Sequence, residues 1–226
     1  MSAQKIAVVI GATGSLGSSV CQALENQGYL IDETWTSKDR PDARFEASYS
    51  NLPKRIDAAI YLAGINHISN AENLAAEDWD KVIDINLKGA FLFFKAAFPG
   101  MKAAGRSTAI AISSIMASHP YPGRLAYSAS KAGLEGLIRA LAIEWGMHGI
   151  ATHALRLGHL SGLMKSTPTN PKLLDAVRAL TPGRNLISPD DVANYIMWAI
   201  NGGAHNITGS TIDFDPGYTL NRWPIN

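Results

Sequence analysis

The chain has 226 residues, a length that suits one large domain better than two independent ones. Its 20 Lys and Arg against 19 Asp and Glu leave a formal charge of +1, which excludes a global charge drive toward nucleic acid or anionic membrane. Charged residues make up 17% of the chain, below the roughly 25% usual for soluble domains, so extra buried surface is expected, part of it between subunits. The single cysteine, Cys21, excludes an internal disulfide and a cysteine zinc cluster, and it fits a reducing compartment. From Met1 to Lys5 the chain leads straight into a short apolar run, unlike a signal peptide or a spanning helix, so a cytoplasmic location is expected.

In chain order, Lys5–Ile10 reads as a buried strand that enters the glycine-rich turn GATGSLG. Ser15 to Gly28 carries Leu16, Val20, Ala23 and Leu24 at helical spacing, with Gly28 as its stop. Leu30–Trp35 is a second strand, Arg44–Ala47 a short third, and Ile56–Leu62 a clearer fourth. A long helix is expected from Trp79 to Ala104, bent or ended at Pro99-Gly100. Thr108–Ser113 is a strand, Ala126–Gly146 a helix, Ile150–Leu157 a strand, Pro189–Ile200 a helix and Thr211–Phe214 the last strand. Alternating β and α units with continuous apolar strands predict an α/β, Rossmann-like, doubly wound parallel sheet with helices on both faces. No repeat or low-complexity stretch marks a linker, so residues 1–226 read as one domain, with a substrate loop near 158–186.

Two constellations carry chemistry. Gly11, Thr13, Gly14, Ser15, Leu16 and Gly17 lie between a strand and a helix, where glycines let the backbone approach a pyrophosphate and the helix start offers free N–H groups. That context favours nucleotide binding over a purely structural turn. Tyr127 and Lys131 are four residues apart and share one helix face. A phenol with a pKa near 10 is a poor acid–base group at neutral pH, and an adjacent ammonium favours its phenolate. Ser114 closes the preceding strand, at the carboxyl edge of the sheet where that helix begins, so the three side chains can converge.

With these motifs the chain resembles a short-chain dehydrogenase/reductase of the single-domain type over essentially its whole length. The match also rests on Ala63-Gly64, Asn86-Leu87-Lys88-Gly89, Ile112-Ser113-Ser114, Pro182-Gly183-Arg184, Ser188-Pro189-Asp190-Asp191, Ile207-Thr208-Gly209 and Asp215-Pro216-Gly217. The resemblance implies hydride transfer between NAD(P)(H) and a carbonyl or secondary alcohol. Tyr127 would be the proton donor, and Ser114 would hold the substrate oxygen. Lys131 would lower the Tyr127 pKa and bind the nicotinamide ribose, while Asn86, at a break in its helix, would position a water of the proton relay. Ala63, Gly64 and Gly158 would line the cofactor groove. Helices beginning near Trp79 and Ala126 would pair across two-fold axes, which implies a homo-oligomer, a tetramer before a dimer.

Some features depart from the family pattern. The glycines are spaced GxxGxxG; the family's Asn-Asn-Ala-Gly is Tyr61-Leu62-Ala63-Gly64 here, which removes a side chain that would brace the sheet; the usual Pro-Gly is Leu157-Gly158. Too little chain separates Ala47 from Ile56 for the helix usually found there. A dihydropteridine-reductase-like enzyme is therefore one alternative, and a non-catalytic dinucleotide sensor is another, which the intact Ser–Tyr–Lys set argues against. Counting from the glycine turn to the ribose-recognition position reaches Ser37 and Lys38, which suit the 2′-phosphate of NADP(H), with Arg40 adding charge and Asp39 opposing it; NAD(H) is the second option. His67, His119 and His159 lie past strand ends where substrate would sit; His148, His153 and His205 read as structural or solvent-facing, and no metal site is expected. The partner expected is a small carbonyl or alcohol, with no nucleic acid and no membrane.

Overall fold

The computed structural model describes residues 4–32, 42–161 and 171–221. Six parallel strands form one sheet: β1 (Ile6–Ile10), β2 (Leu30–Ile31), β3 (Ala58–Tyr61), β4 (Ser107–Ser114), β5 (Ile150–Leu157) and β6 (Thr211–Phe214), in the order β2-β1-β3-β4-β5-β6. The helices are α1 (Ser15–Asn26), α2 (Ala76–Ile83), α3 (Gly89–Ala104), α4 (Leu125–Trp145), α5 (Pro171–Leu180) and α6 (Pro189–Ile200). Alternation along each strand divides the core in two. Ala7, Val9, Ala58, Ile60, Ile110 and Ile112 face one way, onto α1 and α6. Val8, Ile10, Ala59, Tyr61, Ala109 and Ala111 face the other way, onto the aromatic wall of α3 and onto α4. This is the doubly wound Rossmann-like α/β arrangement expected from the apolar strands. The chain winds outward from β1 to β2 and then crosses to β3, so the crevice above the carboxyl ends of β1 and β3 is the switch point where ligands bind.

Three expectations are corrected, and a fourth falls partly outside the described residues. Arg44–Ala47 is not a strand: Glu46–Tyr49 forms a 3₁₀ turn. The Ser48 hydroxyl donates to Asp42 O, Arg44 pairs with Asp42, and buried Tyr49 donates to Ala43 O, so local side-chain bonds outcompete a sheet edge. The strand starting at Leu30 is described only to Ile31, and its expected end near Trp35 lies outside the described residues. Helix α3 does not end at Pro99-Gly100; it runs through them to the expected Ala104 and stops at Gly105, in left-handed conformation. Gly100 is needed there because a Cβ would stand 2.6 Å from Pro53 O. Finally, part of the expected substrate loop is helix α5, with Pro171 at its first position and Leu174, Val177 and Leu180 at helical spacing.

One buried group predicts a pH dependence of stability. His153, on β5, is fully buried, with Tyr195 Oη against Nε2 and Ser210 Oγ 3.1 Å from Nδ1. Burial pushes its imidazole down to about 4. The unfolded chain therefore binds the extra proton first, and the stability is complete above the ordinary histidine pKa of about 6.5. Between pH 7 and 4.5 unfolding should become easier by roughly 2–3 kcal/mol from this residue alone. Denaturant midpoints measured across that range should fall less steeply in His153→Asn; an unchanged slope would reject the assignment.

Candidate active site

The glycine turn is built by close approach. Gly11 has φ 91°, and a Cβ on it would lie 2.8 Å from Ala63 N, so only glycine joins β1 to the end of β3 here. A Cβ on Gly17 would collide with Gly11 O and Ala12, which sets the start of α1 directly on the turn. Leu16 directs its side chain into the core, whereas Thr13, Gly14 and Ser15 are exposed. Among the described residues no side chain caps α1, and its own first turn holds no carboxylate. Its leading N–H groups, at the positive end of the helix dipole, are thus free to take an anion such as a pyrophosphate. This local geometry fits a dinucleotide. Ser37 and Lys38 lie outside the described residues.

Across the switch point, α2 and α3 are joined by a π turn, Asp84–Lys88, which brings Asn86 inward. Asn86 is completely buried, and Oδ1 accepts from Ile65 N at 2.8 Å. Its amide donates to Ile65 O and to Ser130 Oγ, both at 2.9 Å. Asn86 thereby clamps the segment after Gly64 to α4. The sequence reading of a local break in this helix holds; both amide hydrogens are spent on protein partners. The brace expected to be lost at Tyr61 is also present in another form. The Tyr61 hydroxyl donates to Ile85 O inside the π turn, and Gly89 leaves the room it needs.

Ser114 ends β4, and its Oγ accepts from Met116 N. Tyr127 lies in the first turn of α4, and Lys131 one turn later, with Nζ 5.7 Å from the Tyr127 ring centroid. Lys131 Nζ donates to Ile112 O at 2.7 Å. A Cβ on Gly64 would stand 3.3 Å from that Nζ and 3.5 Å from Asn86 Oδ1, so Gly64, Asn86 and Lys131 meet at one point. Burial pulls Lys131 down to about 8. Burial also raises the Tyr127 phenol above its ordinary range, against the lowering effects of the Ser114 hydrogen bond and the Arg124 charge. Lys131 was expected to lower the Tyr127 pKa; in this arrangement the lowering partners are Ser114 and Arg124, and desolvation outweighs them. Gly158 sits where β5 meets β6: a Cβ would be 2.8 Å from Asp215 Cβ, which accounts for glycine by packing.

Of the histidines, His67 faces Asp78 at 3.5 Å and His119 faces Ser118 Oγ at 2.9 Å, both on the rim. His159 stacks on Tyr121. His148 lies edge-on to Phe98. Sequence reasoning missed the Glu135–Arg156 pair behind the site. Arg156 Nε and Nη2 reach the two Glu135 oxygens at 2.9 and 2.7 Å, and Ser113 Oγ donates to Glu135 at 2.7 Å. A buried glutamate one turn past Lys131 and an arginine breaking an apolar strand were the available signals.

The model of the enoyl-(acyl carrier protein) reductase family matches residues 35–219. The chain is 32% identical to a D-threitol dehydrogenase of Mycolicibacterium smegmatis, over 96% of this chain and 93% of that one. It is 28% identical to an acetoacetyl-CoA reductase of Acinetobacter, over 96% and 98%. Among solved structures, that of gox2181 superposes with TM-score 0.87 at 28% identity, over 96% of each chain. With the glycine turn, the Ser114–Tyr127–Lys131 edge and these matches together, the chain belongs to the short-chain dehydrogenase/reductase family, the nicotinamide-dependent oxidoreductases that interconvert carbonyl groups and alcohols.

Proposed function

We propose that Tyr127, Ser114, Lys131 and Asn86 run this carbonyl–alcohol interconversion within a single dinucleotide-binding domain spanning the chain. The observation that carries the proposal is the convergence of Ser114, Tyr127 and Lys131 at the carboxyl edge, beside an uncapped helix start. When bound, the nicotinamide nucleotide supplies or takes the hydride. Ser114 holds the substrate oxygen against Tyr127 Oη, and the phenol gives its proton as that oxygen gains charge in reduction. Burial keeps the phenol protonated at neutral pH, which suits the reductive direction. Lys131, at the junction with Gly64 and Asn86, offers its ammonium to the ribose hydroxyls and passes protons outward. Thr13, Gly14 and Ser15, with the backbone of Leu16 and Gly17, hold the pyrophosphate; Ala63, Gly64 and Gly158 border the groove.

A panel of ketones and secondary alcohols offered with both nucleotides tests this reading. The panel should include acetoacetyl-CoA and D-threitol, named for relatives at 28% and 32% identity. Absence of turnover across it would count against the assignment.

The finer assignment of cofactor is NADPH before NADH, resting on Ser37 and Lys38 at the ribose position. The NADPH:NADH ratio of kcat/KM should exceed one and should fall in Lys38→Ala. A native preference for NADH would reject this. A homotetramer in the cytoplasm is the companion proposal. Apolar Phe91, Leu125 and Ile143 on α3 and α4 are 45%, 48% and 86% exposed in the single chain, which favours burial against further copies. Light scattering should give close to four times the 24.2 kDa chain, and a value of one chain would refute it.

A further inference from the structure

The segment between Ser114 and Tyr127 brings a second polar group to the catalytic edge. Tyr121 Oη donates to Tyr218 Oη at 2.7 Å and lies 3.3 Å from His159 Nε2. The three residues come from separate stretches of chain, each anchored beside the site. Tyr121 O accepts from Arg124 N, just before α4. His159 stands two residues past Leu157, the β5 partner of Ser114. Tyr218 follows the Asp215 turn, where the carboxylate accepts from Gly217 N, Thr219 N and the Thr219 hydroxyl at 2.6–2.9 Å. The His159 ring stacks on Tyr121 and meets Tyr218 edge-on at 4.8 Å.

The polarity of this chain of bonds follows from proton counting. Tyr121 spends its single proton on Tyr218, so the close His159 Nε2 serves it as an N–H donor. Burial disfavours the charged imidazole, against the raising effect of Asp215, which is compatible with the Nε2–H tautomer. Its Nδ1 is buried without a partner among the described residues. Tyr218 keeps its own proton for an outside acceptor. Burial raises the Tyr121 phenol, so it remains uncharged. Both tyrosines, with His119, Pro120, Leu180, Thr219 and Asn221, line a cavity of about 400 Å³. Paired phenols that both donate and accept suit the hydroxyl groups of a ligand.

We propose that Tyr121 and Tyr218, with His159 as positioning residue, form a hydroxyl-recognition subsite, and that the substrate is a carbonyl or secondary alcohol bearing further hydroxyls. This rests on the oxidoreductase reading above and names the substrate class for the same site. Butan-2-ol, butane-2,3-diol and butane-1,2,3,4-tetrol, each assayed with NAD⁺ and NADP⁺, give the measurement. In the native enzyme kcat/KM for the tetrol should exceed that for butan-2-ol by at least about tenfold, as expected where a polar wall loses its partner. Tyr218→Phe removes one oxygen and should cut that ratio by about fivefold, mainly through KM. His159→Leu should act in the same direction, and His159→Gln, which restores a donor to Tyr121, should recover most of the ratio. Taking ratios cancels any general loss of activity.

A native ratio near one, or an unchanged ratio in Tyr218→Phe, overturns the subsite while leaving the oxidoreductase assignment standing. Should none of the alcohols be oxidised, a thermal-shift titration of the tetrol into the protein with NADP⁺ separates the two ideas. Stabilisation that is lost in Tyr218→Phe keeps the subsite and retires the chemistry. No stabilisation of the native protein overturns the subsite.

Discussion

Tyr127→Phe should lower turnover by at least about 100-fold, the loss expected when a positioned proton donor is removed. The ring itself is retained, so its packing against Lys131 Nζ is expected to persist, as are nucleotide affinity and thermal stability. Only the hydroxyl is lost, and with it the group that Ser114 aligns. The pH profile gives a second reading of the same step. Carbonyl reduction needs the protonated phenol, and burial keeps it protonated through the neutral range. Alcohol oxidation needs the phenolate, so its rate should climb as pH rises, and in Tyr127→Phe that climb should vanish. Near-normal turnover, or a pH slope that survives the substitution, would show that another group handles the proton.

The strands were legible because burial on both faces writes itself as unbroken apolar runs. In β1, Ala7 and Val9 serve one core and Val8 and Ile10 the other, so no polar residue interrupts that run. The Ser114–Tyr127–Lys131 edge was legible because a strand end and a helix start fix two of its members, and one helical turn fixes the third. What escaped depends on contacts between distant segments. Tyr61 replaces a brace by reaching a carbonyl 24 residues away, in the π turn. Tyr121, His159 and Tyr218 meet only after three stretches of chain are folded. The 3₁₀ turn at Glu46–Tyr49 is set by Asp42 and Ser48 side chains, which a hydrophobic pattern does not register. Helix α5 lies within the stretch expected to be substrate loop; Pro171 at its first position, ahead of an amphipathic run, is the helix-start signal there.

The largest stability effect outside the apolar core should come from Arg156. Glu135 is one turn beyond Lys131 on α4 and nearly buried, and its charge is held by both arms of Arg156 and by Ser113 Oγ. Arg156 also reaches Asp213 at 2.8 Å, but Asp213 is 45% exposed and that pairing is screened by water. Arg156→Met would leave the carboxylate buried with only a hydroxyl donor, a break that costs about 3 kcal/mol or more. For a chain of this length each kcal/mol moves the melting midpoint by roughly 2–4 °C, so a fall of about 6–12 °C is expected. Glu135→Leu alone should cost less, because Arg156 keeps Asp213 and partial access to water. The double variant Glu135→Leu/Arg156→Met removes both charges and should recover much of the loss, since a buried pair is often replaceable by apolar side chains of similar volume. The consequence for function follows from position. Ser113 precedes Ser114, and Glu135 ties that strand end to α4 beneath Lys131. Arg156→Met should therefore loosen the spacing of Ser114 and Lys131 and lower kcat before it disturbs nucleotide binding at the glycine turn. Melting midpoints of the two single variants and the double variant decide the matter: strictly additive losses would mean that the pair is not coupled and that its burial stabilises nothing.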